Sequence, residues 1–372
     1  MACYIKIMRG MGFEPMKALS HTALNRAPLA TRAPPHAYAY GELKTKIIKK
    51  RLKRFAKMGK KYRKVAVLGA GRIGKRHCEI YGELSKDYGI EEIIFSRRTR
   101  EKVALTEAAL KEYFKERNIR VVVRGFTEID DVLEQKPDAI SICTPTDLHA
   151  AHLETVLERC EKTIVYCEKP LCRPDQLSYA TDLVELARDR LCVGLQLFHC
   201  YSLIKRYIKG ENKGIDIVWS SVPSKRENTV KELIVDLAPH VVCFVQEAVA
   251  KDGFRLANIV HSVIEPRVCF ENKNIRMELF YKQSRADIER YIKIKKENGE
   301  VKIVYGGYNT EKGWKSCLFV ERKEQEGVVK YCFLLDDLLK TAIEKFLSRK
   351  GFVSGRKGLR NVELVGKLCS FL

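Results

Sequence analysis

The sequence predicts a doubly wound α/β domain followed by a second, α+β domain whose open-faced sheet is mostly antiparallel. Three observations carry that expectation. The 372 residues exceed what one hydrophobic core usually serves. A glycine turn joins the apolar run Val65–Leu68 to a helical pattern that continues through Leu84. Apolar runs then alternate with helical patterns up to residue 197 and afterwards give way to longer β-type runs. The expected division is a basic extension over 1–63, a dinucleotide-binding α/β domain over 64–197 and a second, α+β domain over 198–372, whose last helices can pack back on the first domain.

Charge is distributed unevenly. Residues 1–64 hold 17 Lys/Arg against 2 acids, so most of the formal net charge of +22 is local and peaks in Ile47–Lys64. Such a run is read as a solvated tail rather than a nucleic-acid surface. The preceding Gly12–Ala37 scatters Pro and Ala without helical or strand period. Gly12-Phe13-Glu14-Pro15 can be encoded by GGG TTC GAA CCC, which resembles the T-arm of a transfer RNA gene. We therefore expect a translated upstream segment, with Met58 as the natural start.

Thirteen cysteines form an odd set with no Cys-x-x-Cys pair, which suggests reduced, buried thiols rather than a disulfide framework or zinc ribbon. A metal site is not expected. No run reaches the roughly 18 apolar residues of a membrane span, and the amino terminus lacks a compact apolar signal core. A cytoplasmic location is the expectation.

The chemistry begins at Gly69-Ala70-Gly71-Arg72-Ile73-Gly74. In a strand–turn–helix setting Gly69 allows the tight turn, Gly71 lets backbone N–H groups approach a pyrophosphate and Gly74 permits close helix-to-strand packing; Arg72 and Ile73 open the helix. The next strand, Glu91–Phe95, should end beside the adenosine ribose. The chain reads Ser96-Arg97-Arg98 there, with no carboxylate to repel a 2′-phosphate and two guanidiniums to receive it, so NADP is favoured over NAD.

Strands at 120–123, 138–143, 163–166 and 191–196, with helices between them, complete a Rossmann-type parallel sheet. Ligands sit outside the carboxyl ends of such strands, so Thr144-Pro145-Thr146 and Glu168-Lys169-Pro170 should face the cofactor. Cys167 and Cys172 flank the second turn and are read as packing thiols.

These residues resemble the glucose-fructose oxidoreductase, inositol dehydrogenase and MocA (Gfo/Idh/MocA) family over roughly residues 64–372. The marks are VAVLGAGRIGKRH at 65–77, CTPTDLHAAH at 143–152, EKP at 168–170 and DLAPH at 236–240. The resemblance implies an NAD(P)-dependent oxidoreductase acting on sugars, polyols, nucleotide sugars or related compounds, with Lys169, Asp236 and His240 as catalytic residues. It places His77 and His149 on the cofactor side and allows a cis Lys169–Pro170 bond. It also implies a homo-oligomer, dimer or tetramer, through the open sheet face. The residue chemistry agrees. A histidine is suited to accept a hydroxyl proton, Asp236 could orient it from one turn away, and Lys169 could donate to the substrate oxygen. Pro239 then fits only in the first turn of a helix.

Trp219 and Tyr305 are read as core or pocket aromatics, with Tyr201 beside them. His152, His199 and His261 have no partner readable from spacing. Further strands are expected at 215–222, 254–264, 275–284, 290–298, 300–308 and 328–335, with hairpin signals at Asn298-Gly299 and Glu326-Gly327, and closing helices at 334–349 and 359–371. Ala238 replaces the Gly usual in the family, and QLFHCYSL lacks its usual Arg-aromatic sequence, so the substrate is left open. The alternative is a non-catalytic NADP-binding sensor of the same fold.

Intact-mass and peptide mass spectrometry of the native protein should show an amino terminus at Met58. Peptides from upstream of Met58 would contradict that expectation.

Overall fold

The computed structural model describes residues 62–200, 213–222, 229–245, 255–260, 266–271, 275–282, 288–297, 299–310, 313–324, 327–335 and 337–372. Residues 1–61 of the expected basic extension, Tyr201 and His261 lie outside them. Lys61–Gly307 and Lys315–Leu372 form one compact unit; of the other, Met1–Lys60 with Tyr308–Trp314, only strand residues are described.

Six short strands, almost fully buried except for the edge strand β3, build the first sheet: β1 (Lys64–Leu68), β2 (Glu92–Ser96), β3 (Val122–Phe126), β4 (Ala139–Ile142), β5 (Ile164–Cys167) and β6 (Leu191–Val193). They run parallel in the order β3-β2-β1-β4-β5-β6. Continuous apolar runs such as Val65–Leu68 and Ile164–Tyr166 follow from burial on both faces. Helices α1 (Arg72–Glu83), α2 (Arg100–Glu116), α3 (Ile129–Glu134), α4 (His149–Arg159) and α5 (Leu177–Ala187) supply the crossovers. Strand order reverses between β1 and β4, the place where such sheets open a ligand crevice.

Two strand expectations shift. The third strand begins at Val122, not Arg120, because its partners are Glu92–Ser96 in β2, paired Glu92 with Val122 through Ser96 with Phe126. The sixth stops at Val193, where Gly194 and a tight turn over Gln196–Cys200 take the chain out of the sheet.

The second sheet has eight strands, β7 (Gly214–Ser221), β8 (Arg255–Val260), β9 (Arg267–Glu271), β10 (Ile275–Tyr281), β11 (Arg290–Lys296), β12 (Gly299–Thr310), β13 (Gly313–Glu324) and β14 (Gly327–Leu334). Their order is β14-β13-β12-β11-β7-β10-β9-β8, antiparallel at every described pairing except β7 with β10. Both hairpin signals are met, since Lys296 pairs with Gly299 and Glu324 with Gly327. β9 and β13 are additions to the expected strands.

One face of this sheet is apolar along Ile215 and Ile217, Met277 and Leu279, Ile292 and Ile294, and Val301 and Ile303. It belongs to the same core as Leu233, Ile234, Leu237 and Val241 of helix α6 (Val230–Val245).

Pro239 is inside α6, not in its first turn. It removes one N–H from the ladder and disturbs the carbonyls a turn earlier. Two carbonyls of the same stretch have tertiary donors: that of Pro239 accepts from Asn361 Nδ2 at 3.1 Å, and that of Asp236 accepts from a lysine described below.

The closing helices α7 (Leu338–Ser348) and α8 (Gly355–Cys369) return to the parallel sheet. Phe346 is fully buried edge-on to Tyr166, with ring centroids 5.6 Å apart. Asp337 caps α7 through Leu339 and Lys340 N–H groups and pairs with Arg76 of α1 at 2.7 Å, while Lys340 pairs with Glu83 at 2.9 Å. No helix among the described residues is long and apolar enough to cross a membrane.

Candidate active site

The glycine turn follows β1. Gly69 has φ +82°, a backbone conformation that favours glycine, and a Cβ there would meet Thr144 Cγ2 at 2.8 Å. The turn after β1 and the turn after β4 therefore touch at the switch point. A Cβ on Gly74 would lie 2.4 Å from the Gly69 carbonyl oxygen, so the helix sits directly on the turn. Arg72 and Ile73, at the start of α1, are exposed.

Ser96, at the end of β2, is buried, and its Oγ accepts the Gly69 N–H at 3.0 Å; it holds the turn in place. Arg97 donates through Nη1 to the Ala70 carbonyl at 2.9 Å, which lays its guanidinium over the loop, and its Nε is buried with no hydrogen-bond partner. Arg98 is exposed beside it.

Thr144 and Pro145 are half-buried, and Thr144 Oγ1 lies 2.9 Å from His152 Nδ1. His149, expected on the cofactor side, is 1% exposed, with Nδ1 2.8 Å from the Pro170 carbonyl and Nε2 2.9 Å from the Thr144 carbonyl. It joins the two strand-end turns to each other. Burial pushes its imidazole below the usual histidine range. The Lys169–Pro170 bond is cis.

His77 is likewise fully buried. Its Nε2 lies 3.1 Å from Glu168 Oε1 and its Nδ1 3.0 Å from Ser141 Oγ, which lies 2.6 Å from Tyr81 Oη. Burial raises the Glu168 carboxyl, but the contact with His77 outweighs it and holds the group below the usual carboxylate range. An ionised Glu168 only accepts, so His77 Nε2 carries the proton. With a single ring proton, Nδ1 accepts from Ser141 and Ser141 accepts from Tyr81. Every donor in the chain then points towards the carboxylate. Glu168 Oε2 accepts the Lys169 N–H at 3.3 Å, so the row ends at the lysine. Nothing in the spacing of 77, 81, 141 and 168 gave this network away, though His77 and Tyr81 are one helical turn apart.

Lys169 Nζ donates to the Asp236 carbonyl at 3.0 Å and to Asp236 Oδ1 at 3.2 Å, which joins the end of β5 to α6. His240 lies one turn further along α6, and among the described residues Asp236 makes no hydrogen bond to it. The imidazole instead stacks on Trp219 at 6.2 Å, which stacks on Tyr305 at 5.7 Å. Burial first, then the charges of Lys169 and Arg290, hold His240 well below the usual histidine range. The expected i, i+4 partnership of Asp236 with His240 is thus replaced by an Asp236–Lys169 pair and an aromatic stack. Arg290 was not anticipated from the sequence.

Cys167 and Cys172 are buried free thiols, the latter pushed up to about 12 by burial. His199 Nδ1 lies 2.9 Å from Lys345 Nζ, away from the residues above. Among the described residues no group of three or more His, Cys, Asp or Glu is arranged to hold a metal ion.

Residues 63–199 match an oxidoreductase family described as having an NAD-binding Rossmann fold, Gfo/Idh/MocA. The likeness to that oxidoreductase family is carried by this segment. Beyond that segment the fold itself continues the likeness. A UDP-N-acetylglucosamine 3-dehydrogenase from Acidithiobacillus ferrooxidans is 18% identical, with a TM-score of 0.62 over 83% of this chain and 97% of that one. A 3-ketoreductase from Actinomadura kijaniata, solved with NADP and TDP-benzene, is 16% identical, with a TM-score of 0.60 over 81% and 95%. A dehydrogenase from Clostridium difficile is 15% identical, with a TM-score of 0.60 over 83% and 99%. No curated protein matches in sequence. The family match thus describes residues 63–199 as an NAD-binding Rossmann domain of oxidoreductase type.

Replacing His77 with Leu leaves a buried carboxylate without its ring donor, and we expect a loss of about 3–5 kcal/mol at pH 7 in urea unfolding. Glu168 is depressed from 4.5 in the native protein, so its stabilising contribution is present above that value and is lost as pH falls through the native pKa. In the variant the unpaired carboxylate is the source of the cost. The gap between the two proteins should therefore shrink as pH approaches about 4. A gap independent of pH would contradict an ionised Glu168.

Proposed function

We propose that the protein transfers hydride between NADP and a secondary alcohol or carbonyl of a sugar, polyol or nucleotide-sugar substrate, with Lys169, Asp236 and His240 as its catalytic residues. One observation carries this reading: the strand-end lysine is hydrogen-bonded to Asp236 on the helix that also presents a half-buried His240 with a lowered pKa.

The residues present fit a dinucleotide. Gly69 and Gly74 leave no room for a side chain between the turn and α1, and the exposed helix start offers N–H groups to a pyrophosphate. The orphaned Nε of Arg97, with the exposed Arg98 beside it, favours an anion at the ribose end, which supports NADP over NAD. Thr144, Pro145, Glu168 and Lys169 line the facing turns. The nucleotide-sugar class and NADP also draw on what the Acidithiobacillus and Actinomadura proteins are named for or were solved with. We further read the chain as divided near 197, cytoplasmic and homo-oligomeric.

A nicotinamide bound beside Lys169 would supply the hydride acceptor or donor. Lys169 has three N–H donors and spends two on Asp236, which leaves the third for a substrate oxygen. Its charge there stabilises alkoxide character. His240, neutral at pH 7 because its pKa is depressed, accepts the hydroxyl proton on a ring nitrogen, and the Trp219 stack fixes the ring plane. Asp236 holds the lysine rather than the imidazole.

Lys169→Met should lower kcat by about 10²–10⁴-fold on a substrate found by screening polyols, sugars and nucleotide sugars. Arg97→Ala should weaken NADP by about 10-fold or more while leaving NAD within a few-fold. The oxidation rate should stay flat through pH 6.5 and fall only at lower pH, because His240 titrates below its ordinary 6.5. NADPH binding without turnover of any panel member, or equal weakening of NAD and NADP, would contradict the reading.

A further inference from the structure

The apolar face of the second sheet changes character at one end. In register, the row reads Leu279 on β10, Trp219 on β7 and Arg290 on β11, with Tyr305 on β12 next in line, since Tyr291 pairs with Val304. The positions behind it on the same face are Ile217, Ile292 and Ile303, all buried. A guanidinium therefore ends an otherwise apolar row, on the side where His240 stacks against Trp219.

Arg290 Nε donates to the Ser220 carbonyl at 3.0 Å, and its guanidinium carbon lies 5.5 Å from the Trp219 ring and 6.0 Å from the Tyr305 ring. Among the described residues no carboxylate hydrogen-bonds to it. Its remaining N–H groups form a fork braced by two aromatic rings, a geometry suited to a carboxylate or phosphate. Lys169 and Asp236 neutralise each other, and a neutral His240 adds no charge. Arg290 is then the uncompensated charge next to the imidazole. Burial lowers its pKa, and Asp236 and Tyr305 act on it only through space.

We propose that Arg290 is a specificity-determining residue that binds an oxyanion group, carboxylate or phosphate, of the substrate while the reacting carbon lies at His240. The assignment rests on the oxidoreductase reading for its setting, and it predicts that the substrate is an acid or a phosphate ester rather than a neutral polyol. The aromatic rings then serve as walls that exclude water around the ion pair.

The test is isothermal titration of the NADP-loaded protein with glucose, glucuronate, glucose 1-phosphate and UDP-glucose, in wild type, Arg290→Met and Arg290→Lys. Hydride transfer is followed separately by NADPH fluorescence. We expect at least one of the three anions to bind 10-fold or more tighter than glucose, Arg290→Met to reduce that preference to within about 2-fold, and Arg290→Lys to keep part of it. The anion that gains most tells carboxylate from phosphate. Unchanged NADP affinity and thermal midpoint show that each variant is folded; should Arg290→Met fail this control, the preference in Arg290→Lys, lower than wild type, decides. Equal binding of glucose and the anions, no binding by any, or a preference that survives in both variants would overturn the assignment. Anion preference without hydride transfer would instead contradict the proposed function and leave Arg290 in place. Turnover of a neutral sugar unaffected by Arg290→Met would do the reverse.

Discussion

The contact between His77 Nε2 and Glu168 Oε1, 3.1 Å long and wholly inside the protein, fixes the relation between two otherwise separate parts of the site. His77 belongs to the helix that the glycine turn starts, and Glu168 is the first residue beyond β5. A buried carboxylate is tolerable only with hydrogen-bonded partners, and here the donors from Tyr81, Ser141 and His77 form a row that ends on it. Because Glu168 also receives the Lys169 N–H, the position of the lysine is tied to the position of the glycine turn. His149 does the same from the other side, spanning the carbonyls of Thr144 and Pro170.

The second half of the site comes from the other sheet and its helix. Pro239 sits inside α6, and the carbonyls of Asp236 and Pro239 are taken by Lys169 and Asn361. The closing helix that carries Asn361 and the turn that carries Lys169 thus both hydrogen-bond to this stretch of α6. His240 follows Pro239 and meets Trp219 rather than Asp236. In the proposed mechanism this separates two tasks: the carboxylate governs the lysine, and the aromatic stack governs the imidazole. A family match over residues 63–199 and a shared fold support an oxidoreductase; the proposed division of tasks rests on the contacts of Lys169 and His240 in this chain.

Much of the parallel sheet was legible because its strands are buried on both faces and read as apolar runs, and because Gly69, Gly71 and Gly74 follow one of them directly. Lys169 was legible as a strand-end residue once the alternation was seen. β9 was not, since Arg267-Val268-Cys269-Phe270-Glu271 is only five residues long with a charge at each end. β13 has apolar and charged residues in no clear alternation. The interior proline went against local propensity and was settled by tertiary contacts that no local pattern encodes. The same holds for the His77–Glu168 row and for Arg290, where partners 60 to 91 residues apart, or on neighbouring strands, decide what a polar residue does.

The central claim is that the Lys169 turn, held by Glu168 and His77, presents the lysine to a nicotinamide ring on the side facing Asp236 and His240. A crystal structure of the NADPH complex tests it most directly. The account predicts density for the pyrophosphate at the start of α1, for the 2′-phosphate against Arg97 and Arg98, and for the nicotinamide beside Lys169, with the Glu168–His77 contact intact. A nicotinamide ring lodged away from Lys169, or a Glu168 side chain released from His77 when the cofactor is bound, would contradict it.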